Sequence, residues 1–255
     1  MTKKSYTSDE MMTIAAARCL KDNQVCFVGI GLPSEAANLA RLTNTPNIVL
    51  IYESGTLATK PRILPLSIGD GELSERALTN VSVPEMFRYW LQGGHIQIGF
   101  LGAAQIDRFA NINTTVIGEY TNPKVRLPGG GGAPEIASSC DETIIILRHT
   151  TRSLVNKVDF ITSFGYGDGG DHRSKLGIHT LGPTRVITDL CVLEPHNDTR
   201  ELTVTALHPG ISPQKVLEST GWKMQFADDL DVTRAPDISE LATLRKLKNL
   251  RSHGV

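Results

Sequence analysis

The first half of the chain alternates between short, continuous apolar runs and a segment with the composition of a helix. The runs "QVCFVGIGLP" (residues 24–33) and "NIVLIYE" (residues 47–53) are bounded by polar residues or proline, which is typical of buried strands. Between them, "SEAANLARL" (residues 34–42) is rich in Ala and Leu, and Pro33 stands where a helix tolerates proline. A strand–helix–strand order with short connections predicts a parallel sheet.

The same alternation continues along the rest of the chain. Thr7 and Glu10 make a T-x-x-E capping box ahead of the first helix. Further helices are predicted in residues 11–20, 83–91, 213–220 and 237–250. Further strands are predicted in residues 95–103, 142–149, 157–163, 185–195 and 201–209. The pattern predicts one α/β domain over residues 1–255, with an open, mostly parallel sheet and helices on both of its faces.

Composition and charge narrow the class of protein. The 255 residues are 40% hydrophobic with a net charge of -1, so the chain can bury a core and shows no sign of nucleic-acid binding. Its apolar runs are too short to span a bilayer, and no secretory signal follows the N-terminal lysines. The four cysteines lack metal-binding spacing, so we expect no metal site, reduced thiols and a cytoplasmic location.

Glu53 ends a strand that is predicted to be buried, and Ser54 and Gly55 follow it directly. A carboxylate is ionised at neutral pH and needs no base to act as a nucleophile. Parallel sheets bind ligands at the carboxyl ends of their strands, where this residue stands. Glu53 is therefore a candidate nucleophile, and Ser54 and Gly55 are candidate substrate contacts; a solvated loop acid is the alternative.

Two glycine-rich stretches indicate places where backbone amides approach a ligand. Gly29 and Gly31 lie at a strand-to-helix turn but match neither a dinucleotide-binding motif nor a P-loop, so a simple tight turn fits equally well. "PGGGGAP" (residues 128–134) has four successive glycines. Their entropic cost is tolerated where several N–H groups must gather around an anion or oxyanion. A flexible surface loop is the alternative.

Four polar residues crowd into the stretch that follows the third predicted strand. Gln105 and Asn113 are candidate substrate contacts. Asp107 and Asn111 also fit a turn closed by hydrogen bonds from their own side chains. Further along, "GYGDGGDH" (residues 165–172) is predicted to be a mobile loop.

Taken in order, four motifs resemble the B subunits of class I coenzyme A-transferases of the glutaconate and 3-oxoacid branch. They are "VGIGLP", "ESG", "FLGAAQIDRFANINTTVIG" and "KVRLPGGGGAPEIA". The resemblance runs from the first helix to "VLESTGW" near residue 220 and implies a NagB/RpiA/CoA-transferase-like fold. "LPLSIGDGELSE" and the stretch from residue 10 to residue 42 are closer still to members that act on 3-oxoadipate.

The resemblance implies covalent catalysis, in which Glu53 attacks an acyl-CoA and then carries coenzyme A as a glutamyl thioester. The family's glycine loop falls on Gly131, Gly132 and Ala133, whose amides would stabilise the oxyanion. Pro134 has no N–H group to add. The coenzyme A thioester is then a substrate, and no permanently bound cofactor is expected.

The resemblance also implies a partner, an A (alpha) subunit that completes the active site in an A2B2 or A4B4 assembly. The isolated B chain would then expose a broad apolar face. The acceptor would be a 3-oxo or dicarboxylic acid, with 3-oxoadipate favoured; Arg126 is a candidate for its distal carboxylate, and Lys60 and Arg62 are weaker ones. Two alternatives stay open: an acyl-CoA hydrolase on the same fold, and a non-enzymatic ligand-sensing α/β domain.

Overall fold

The computed structural model describes residues 6–253, which contain fourteen strands, eight α-helices and one π-helix. The strands are β1 Val25–Val28, β2 Val49–Ile51, β3 Thr56–Leu57, β4 Thr79–Asn80, β5 Ile98–Gly102, β6 Gln105–Ile106, β7 Ile112–Asn113, β8 Val116–Gly118, β9 Pro123–Arg126, β10 Glu142–Ile146, β11 Gly182–Ile187, β12 Cys191–Pro195, β13 Leu202–Leu207 and β14 Gln225–Val232. The helices are α1 Ser8–Ala17, α2 Leu32–Leu42, α3 Gly71–Glu75, α4 Val83–Glu85, the π-helix Met86–Leu91, α5 Ala133–Ser139, α6 His172–Lys175, α7 Pro213–Glu218 and α8 Ile238–His253.

Eight strands form one open sheet in the order β14-β13-β12-β11-β10-β5-β1-β2. Five of the neighbouring pairs are parallel, and the two that join β11 to β12 and β12 to β13 are antiparallel. The predicted open, mostly parallel sheet is confirmed. Because β1, β2, β5 and β10 all run the same way, the chain segments that follow them meet at a single edge, which we call the carboxyl edge.

Alternate side chains of the parallel strands enter two separate cores, one on each face of the sheet. In β1, Cys26 and Val28 pack against α1, α2 and α8, whereas Phe27 packs on the opposite face. In β2, Leu50 and Ile51 divide in the same way. The second core is closed by α5, the π-helix and α7. Helices therefore cover both faces, as the near-continuous apolar character of these strands predicts.

The helix limits agree with local signals in the sequence. The predicted capping box is present, since the Thr7 side chain accepts from the Glu10 amide and the Glu10 carboxylate accepts from the Thr7 amide. The helix predicted at residues 83–91 is present, but its second part is a π-helix, in which the Gln92 amide donates to the Phe87 carbonyl. In the described residues, no helix is long and apolar enough to cross a membrane.

Three sequence predictions about strands were wrong or incomplete. Residues 185–195 were predicted as one strand, but they contain the end of β11 and all of β12, which pair antiparallel across a turn at residues 188–190. Residues 157–163 form no strand, because their backbone pairs with Ile112 only, at an isolated bridge to Ser163. The side chains of Asp159 and Thr162 instead accept from the amides of Gly118 and Thr114. The parallel edge strand β14 went unrecognised, since its exposed, acidic sequence lacks the apolar signal of a strand.

Candidate active site

Glu53 occupies a tight turn at the carboxyl edge, directly after β2. The Gly55 amide donates to the Tyr52 carbonyl at 3.0 Å, and the Tyr52 amide donates to the Thr56 carbonyl at 3.2 Å. Gly55 has a φ of +95°, and a Cβ atom there would lie 2.1 Å from the Val81 carbonyl oxygen. The turn thus requires glycine after Ser54, and it presents the half-buried Glu53 at the edge of the sheet.

The residue before the candidate nucleophile is anchored in the core. Tyr52 is fully buried, and its hydroxyl lies 2.9 Å from Ser34 Oγ and accepts from Asn38 Nδ2 at 3.1 Å. Burial raises the pKa of Tyr52 to about 12, so the phenol stays neutral and keeps its proton for hydrogen bonding. Sequence reasoning missed this anchor between β2 and α2, because three polar groups separated along the chain carry no recognisable spacing.

The glycine loop lies beside the Glu53 side chain. A Cβ atom placed on Gly131 would lie 3.7 Å from Glu53 Oε1, and one placed on Gly132 would lie 3.1 Å from Glu53 Cδ. Gly131 has a φ of +50°, a backbone conformation that L-residues rarely adopt. The absence of side chains here lets the main chain come against the carboxylate, which is the arrangement that the family resemblance implies.

Only the middle of the glycine loop has unused amides. The Gly129 amide donates to the Thr114 carbonyl at 2.7 Å, and the Ala133 amide donates to the Gly130 carbonyl at 3.0 Å. In the described part of the chain, the amides of Gly131 and Gly132 donate no hydrogen bond. The Ala133 amide, which the family resemblance implied as an oxyanion donor, is therefore engaged inside the loop in this structure.

An aromatic wall closes one side of the pair. Phe87, on the π-helix, would meet a Cβ atom on Gly132 at 2.6 Å. Its ring packs edge-on against Phe27 at the end of β1, with the ring centres 6.3 Å apart. The wall places an apolar side chain beside Gly132, on the same side of the loop as the Glu53 carboxylate. An amphipathic helix alone gave no sign of this role in the sequence.

Other residues proposed from the sequence lie at the same edge. Gly29 donates to the Phe100 carbonyl at 3.0 Å, and a Cβ atom on Gly29 would lie 2.9 Å from that oxygen. Gly31 precedes α2 with a φ of +85°. Ser54 Oγ is buried and has no hydrogen-bond partner among residues 6–253. The two glycines thus shape the turn, and substrate contact by Gly29, Gly31, Ser54 or Gly55 stays a prediction.

Gln105 and Asn113 are bound to each other and to the main chain. Asn113 Nδ2 donates to Gln105 Oε1 and to the Val116 carbonyl, and Gln105 Nε2 donates to the Arg152 carbonyl. These contacts hold β6 and β7 together. Substrate contact by either residue stays a prediction.

Asp107 and Asn111 form the side-chain-closed turn that the sequence left as an alternative. Asp107 Oδ1 accepts from the amides of Phe109 and Asn111. Asn111 also binds the main chain of Gly165 and Gly167, so it fastens the glycine-rich segment of residues 165–172 to this turn. Burial raises the pKa of Asp107.

The three candidate cations lie in two different places. Arg126, in β9, donates to the Tyr120 carbonyl and stacks over its ring, with Cζ 4.8 Å from the ring centre. Lys60 and Arg62 line a cavity of 640 Å³ with Arg41, whose Nη2 donates to the Pro61 carbonyl. Arg41 lies in the last turn of α2, about 13 Å of helix away from the carboxyl edge. Binding of the distal carboxylate by Arg126, Lys60 or Arg62 stays a prediction.

The chain is similar to known proteins over nearly its whole length. The coenzyme A transferase family model matches residues 9–219. The B subunit of 3-oxoadipate CoA-transferase from Pseudomonas knackmussii is 60% identical over 252 residues, which cover 98% of this chain and 97% of that protein. The B subunit of glutaconate CoA-transferase from Acidaminococcus fermentans is 36% identical over 241 residues, or 92% and 87% of the two chains.

Solved structures give the same result at the level of the fold. The crystal structure of glutaconate coenzyme A-transferase from Acidaminococcus fermentans superimposes with a TM-score of 0.88 at 34% identity, covering 94% of both chains. The resemblance drawn from four sequence motifs is confirmed by these matches. The chain belongs to the coenzyme A transferase family.

Proposed function

We propose that this chain is the B subunit of a heteromeric transferase that moves coenzyme A from an acyl-CoA, such as succinyl-CoA, to a 3-oxo or dicarboxylic acid, with Glu53 as the nucleophile. One observation carries the proposal: the Glu53 carboxylate lies against Gly131 and Gly132, whose amides are unused in the described chain. In this proposal the coenzyme A thioester is a substrate and no cofactor is bound permanently.

The proposed reaction proceeds through two covalent intermediates on Glu53. A carboxylate oxygen attacks the thioester carbonyl, and the coenzyme A thiolate leaves as a mixed anhydride forms. The thiolate then attacks the glutamyl carbonyl of the anhydride, which releases the first acid and leaves a glutamyl-CoA thioester. The acceptor acid repeats these steps in the opposite order, so the kinetics are ping-pong.

The glycine loop would stabilise the charge that develops in each step. Every attack creates a tetrahedral centre with a negatively charged oxygen, and two amides pointing at that oxygen lower the barrier. Loss of one such donor costs about 3 kcal/mol in other enzymes. Gly131 and Gly132 are the donors we propose, because the Ala133 amide is already bound to Gly130.

The acceptor is proposed to be 3-oxoadipate, on the strength of the relative that is 60% identical over 98% of the chain. Both carboxylates of such a substrate need partners, one at Glu53 and one farther away. Arg126 remains the candidate for the distal carboxylate. Lys60 and Arg62 are weaker candidates, since they line a cavity with Arg41 in the last turn of α2.

The proposed partner is an A subunit in an A2B2 or A4B4 assembly, because the two relatives described above are B subunits. Large apolar side chains stand exposed along the chain from the glutamate turn to the end of the π-helix: Leu66, Leu78, Val83 and Tyr89. An exposed set of this kind favours a protein interface. The four free cysteines fit the reducing cytoplasm, which we propose as the location.

The first test traps the proposed intermediate in the enzyme assembled with its A subunit. Incubation with an acyl-CoA is expected to add the mass of coenzyme A, less water, to the peptide that contains Glu53. Glu53→Ala is expected to abolish both the adduct and acyl exchange while folding and assembly persist. Glu135→Ala is the matched control, because this exposed carboxylate lies just beyond the glycine loop.

The outcomes separate the proposal from its alternatives. Exchange at the parental rate in Glu53→Ala, or an unmodified peptide during turnover, would refute the role of Glu53. Release of free coenzyme A without an acceptor acid would indicate a hydrolase. Binding of acyl-CoA with neither exchange nor release would indicate a ligand sensor.

A further inference from the structure

Arg173 lies behind the glycine loop, and no motif in the sequence pointed to it. We propose that Arg173 is a positioning residue: its guanidinium holds the C-terminal end of α5, so that Gly131 and Gly132 before the other end stay beside Glu53. The inference rests on the proposed function, since the position of these amides matters only if Glu53 is the nucleophile.

The guanidinium is buried, and all five of its N–H groups are used. Arg173 is only 4% exposed. Nε donates to the Thr180 carbonyl at 3.0 Å, and Nη1 donates to the Phe164 and Gly165 carbonyls at 3.2 and 3.0 Å. Nη2 donates to the Ala137 carbonyl at 2.8 Å and to the Thr180 hydroxyl at 2.6 Å. Five donors in a rigid plane leave this side chain a single position.

All of these acceptors are neutral oxygens. No carboxylate hydrogen-bonds to Arg173 within residues 6–253. Burial without an opposite charge is unfavourable for a cation and lowers the pKa of this guanidinium. An ion pair therefore does not explain why an arginine is buried here. We explain it by the main-chain segments that its guanidinium joins.

One of those segments is the end of α5. The Ala137 and Ser138 carbonyls lie in its last turn, and the amides four residues further on donate instead to carbonyls just ahead of β5. Arg173 binds the Ala137 carbonyl, and the Thr180 hydroxyl donates to the Ser138 carbonyl at 3.0 Å. Arg173 and Thr180 thus satisfy carbonyls that the helix leaves open, and they fix where α5 ends.

The other segment that Arg173 binds packs against the glycine loop, which precedes α5. Arg173 binds the carbonyls of Phe164 and Gly165, just after Thr162. Thr162 Cγ2 would lie 3.0 Å from a Cβ atom on Gly130, so the segment packs directly on the glycine loop. One guanidinium therefore joins the chain behind the loop to the end of the helix that follows it. The loop is held at both ends relative to Glu53.

Steady-state and single-turnover kinetics of the assembled enzyme test this role. Arg173→Lys keeps the charge but offers three donors instead of five. We expect the rate of Glu53 adduct formation and kcat to fall about 10- to 100-fold, because small displacements of catalytic groups cost rates of this order. KM for the acyl-CoA should change little. All rates are expressed per site that forms the adduct, which removes the contribution of unfolded protein.

Two further variants complete the experiment. Thr180→Val retains the Arg173 cation and loses the hydroxyl that binds Ser138. It should lower kcat by a smaller factor than Arg173→Lys does. It replaces Arg173→Lys as the test if that variant fails to fold. Arg185→Lys is the control, since Arg185 pairs with Glu194 at the surface of the sheet and should leave kcat unchanged.

Parental kcat per active site in both Arg173→Lys and Thr180→Val would overturn the inference, even with a lowered thermal midpoint. That result, together with a normal adduct in the parental enzyme, would leave the proposed function intact. Absence of the adduct in the parental enzyme would overturn both.

Discussion

At the scale of single residues, Gly132 is the position that ties the glycine loop to Glu53. A Cβ atom there would lie 2.6 Å from Phe87 Cζ and 3.1 Å from Glu53 Cδ. Real Cβ atoms essentially never come within 3.0 Å of another heavy atom, so a side chain at this position must displace the Phe87 ring. The 3.1 Å approach to Glu53 requires a smaller shift of the carboxylate or of the loop.

Gly132→Ala is expected to lower kcat at least 10-fold, with a small effect on folding, because displaced reacting groups cost rates of this order. Gly71→Ala is the matched control, since a Cβ atom at Gly71 would meet nothing within 4 Å. Adding Phe87→Leu to Gly132→Ala should recover part of the rate by vacating the space at the ring tip. Parental kcat in Gly132→Ala would show that the loop does not hold its amides against the carboxylate.

Only some of the site could be predicted from the sequence. Glu53 and the four glycines could be predicted as site residues. A charge at the end of an apolar run and a run of glycines are both unfavourable for folding, so each indicates a functional role. The roles of Tyr52 and Arg173 could not be predicted, since their hydrogen-bond partners come from segments far apart in the chain. The engagement of the Ala133 amide depends on loop geometry that a glycine count does not contain.

At the scale of elements, one buried imidazole connects three segments: those that follow β10, β11 and α7. His149, just after β10, is 4% exposed. Its Nδ1 lies 3.1 Å from Thr188 Oγ1 in the turn between β11 and β12, and its Nε2 lies 2.9 Å from Thr220 Oγ1 beyond α7. A neutral imidazole offers one donor and one acceptor, which suits two hydroxyl partners.

This contact predicts a loss of stability in mild acid. Burial lowers the pKa of His149 from its ordinary value of 6.5 to about 4. Between these values the unfolded chain binds the proton and the folded chain does not, so stability is complete above pH 6.5 and falls as the pH drops towards 4. From pH 7.5 to pH 5, the loss is about 2 kcal/mol in the free energy of unfolding.

Urea unfolding of the assembled enzyme, at one fixed protein concentration, measures the free energy of unfolding at pH 7.5 and at pH 5. His149→Gln should reduce the difference between pH 7.5 and pH 5 by about 2 kcal/mol, because the titrating group is gone. His95→Gln, which replaces an exposed ring stacked on Tyr89, is the control and should keep the parental difference. An equal pH dependence in parent and His149→Gln would disprove the assignment.

Elements with strong local signals were predicted well, and those defined by tertiary contacts were not. Helices α1, α2 and α7 carry caps or prolines at their starts, and strands β1, β2 and β5 contain only apolar residues and glycine. The strand predicted at residues 157–163 was wrong, because the segment pairs by its backbone only at the isolated bridge between Ile112 and Ser163 and otherwise uses side chains to bind loop amides. Strand β14 was missed because an edge strand needs little burial.

At the scale of the whole molecule, the sheet places the site at one edge, where it is open to a partner. The turn that carries Glu53 leads directly into β3, and β4 pairs antiparallel with β3. Leu78, the residue before β4, is 83% exposed. Burying apolar surface stabilises an interface by about 25 cal/mol per Å². An exposed leucine this near the site favours a partner that covers both.

Leu78→Glu therefore tests whether the A subunit docks next to Glu53. We expect the charge to reduce the fraction of chains in the heteromer and to lower activity in proportion, because a buried unpaired carboxylate is costly. Ile238→Glu is the matched control: Ile238 is 88% exposed at the start of α8, which packs on α1 and α2. Light scattering after size exclusion measures assembly. Equal assembly of Leu78→Glu and the parent would place the interface elsewhere. Loss of assembly in both variants would mean that a charge at any exposed apolar residue disrupts the heteromer, so the test would not locate the interface next to Glu53.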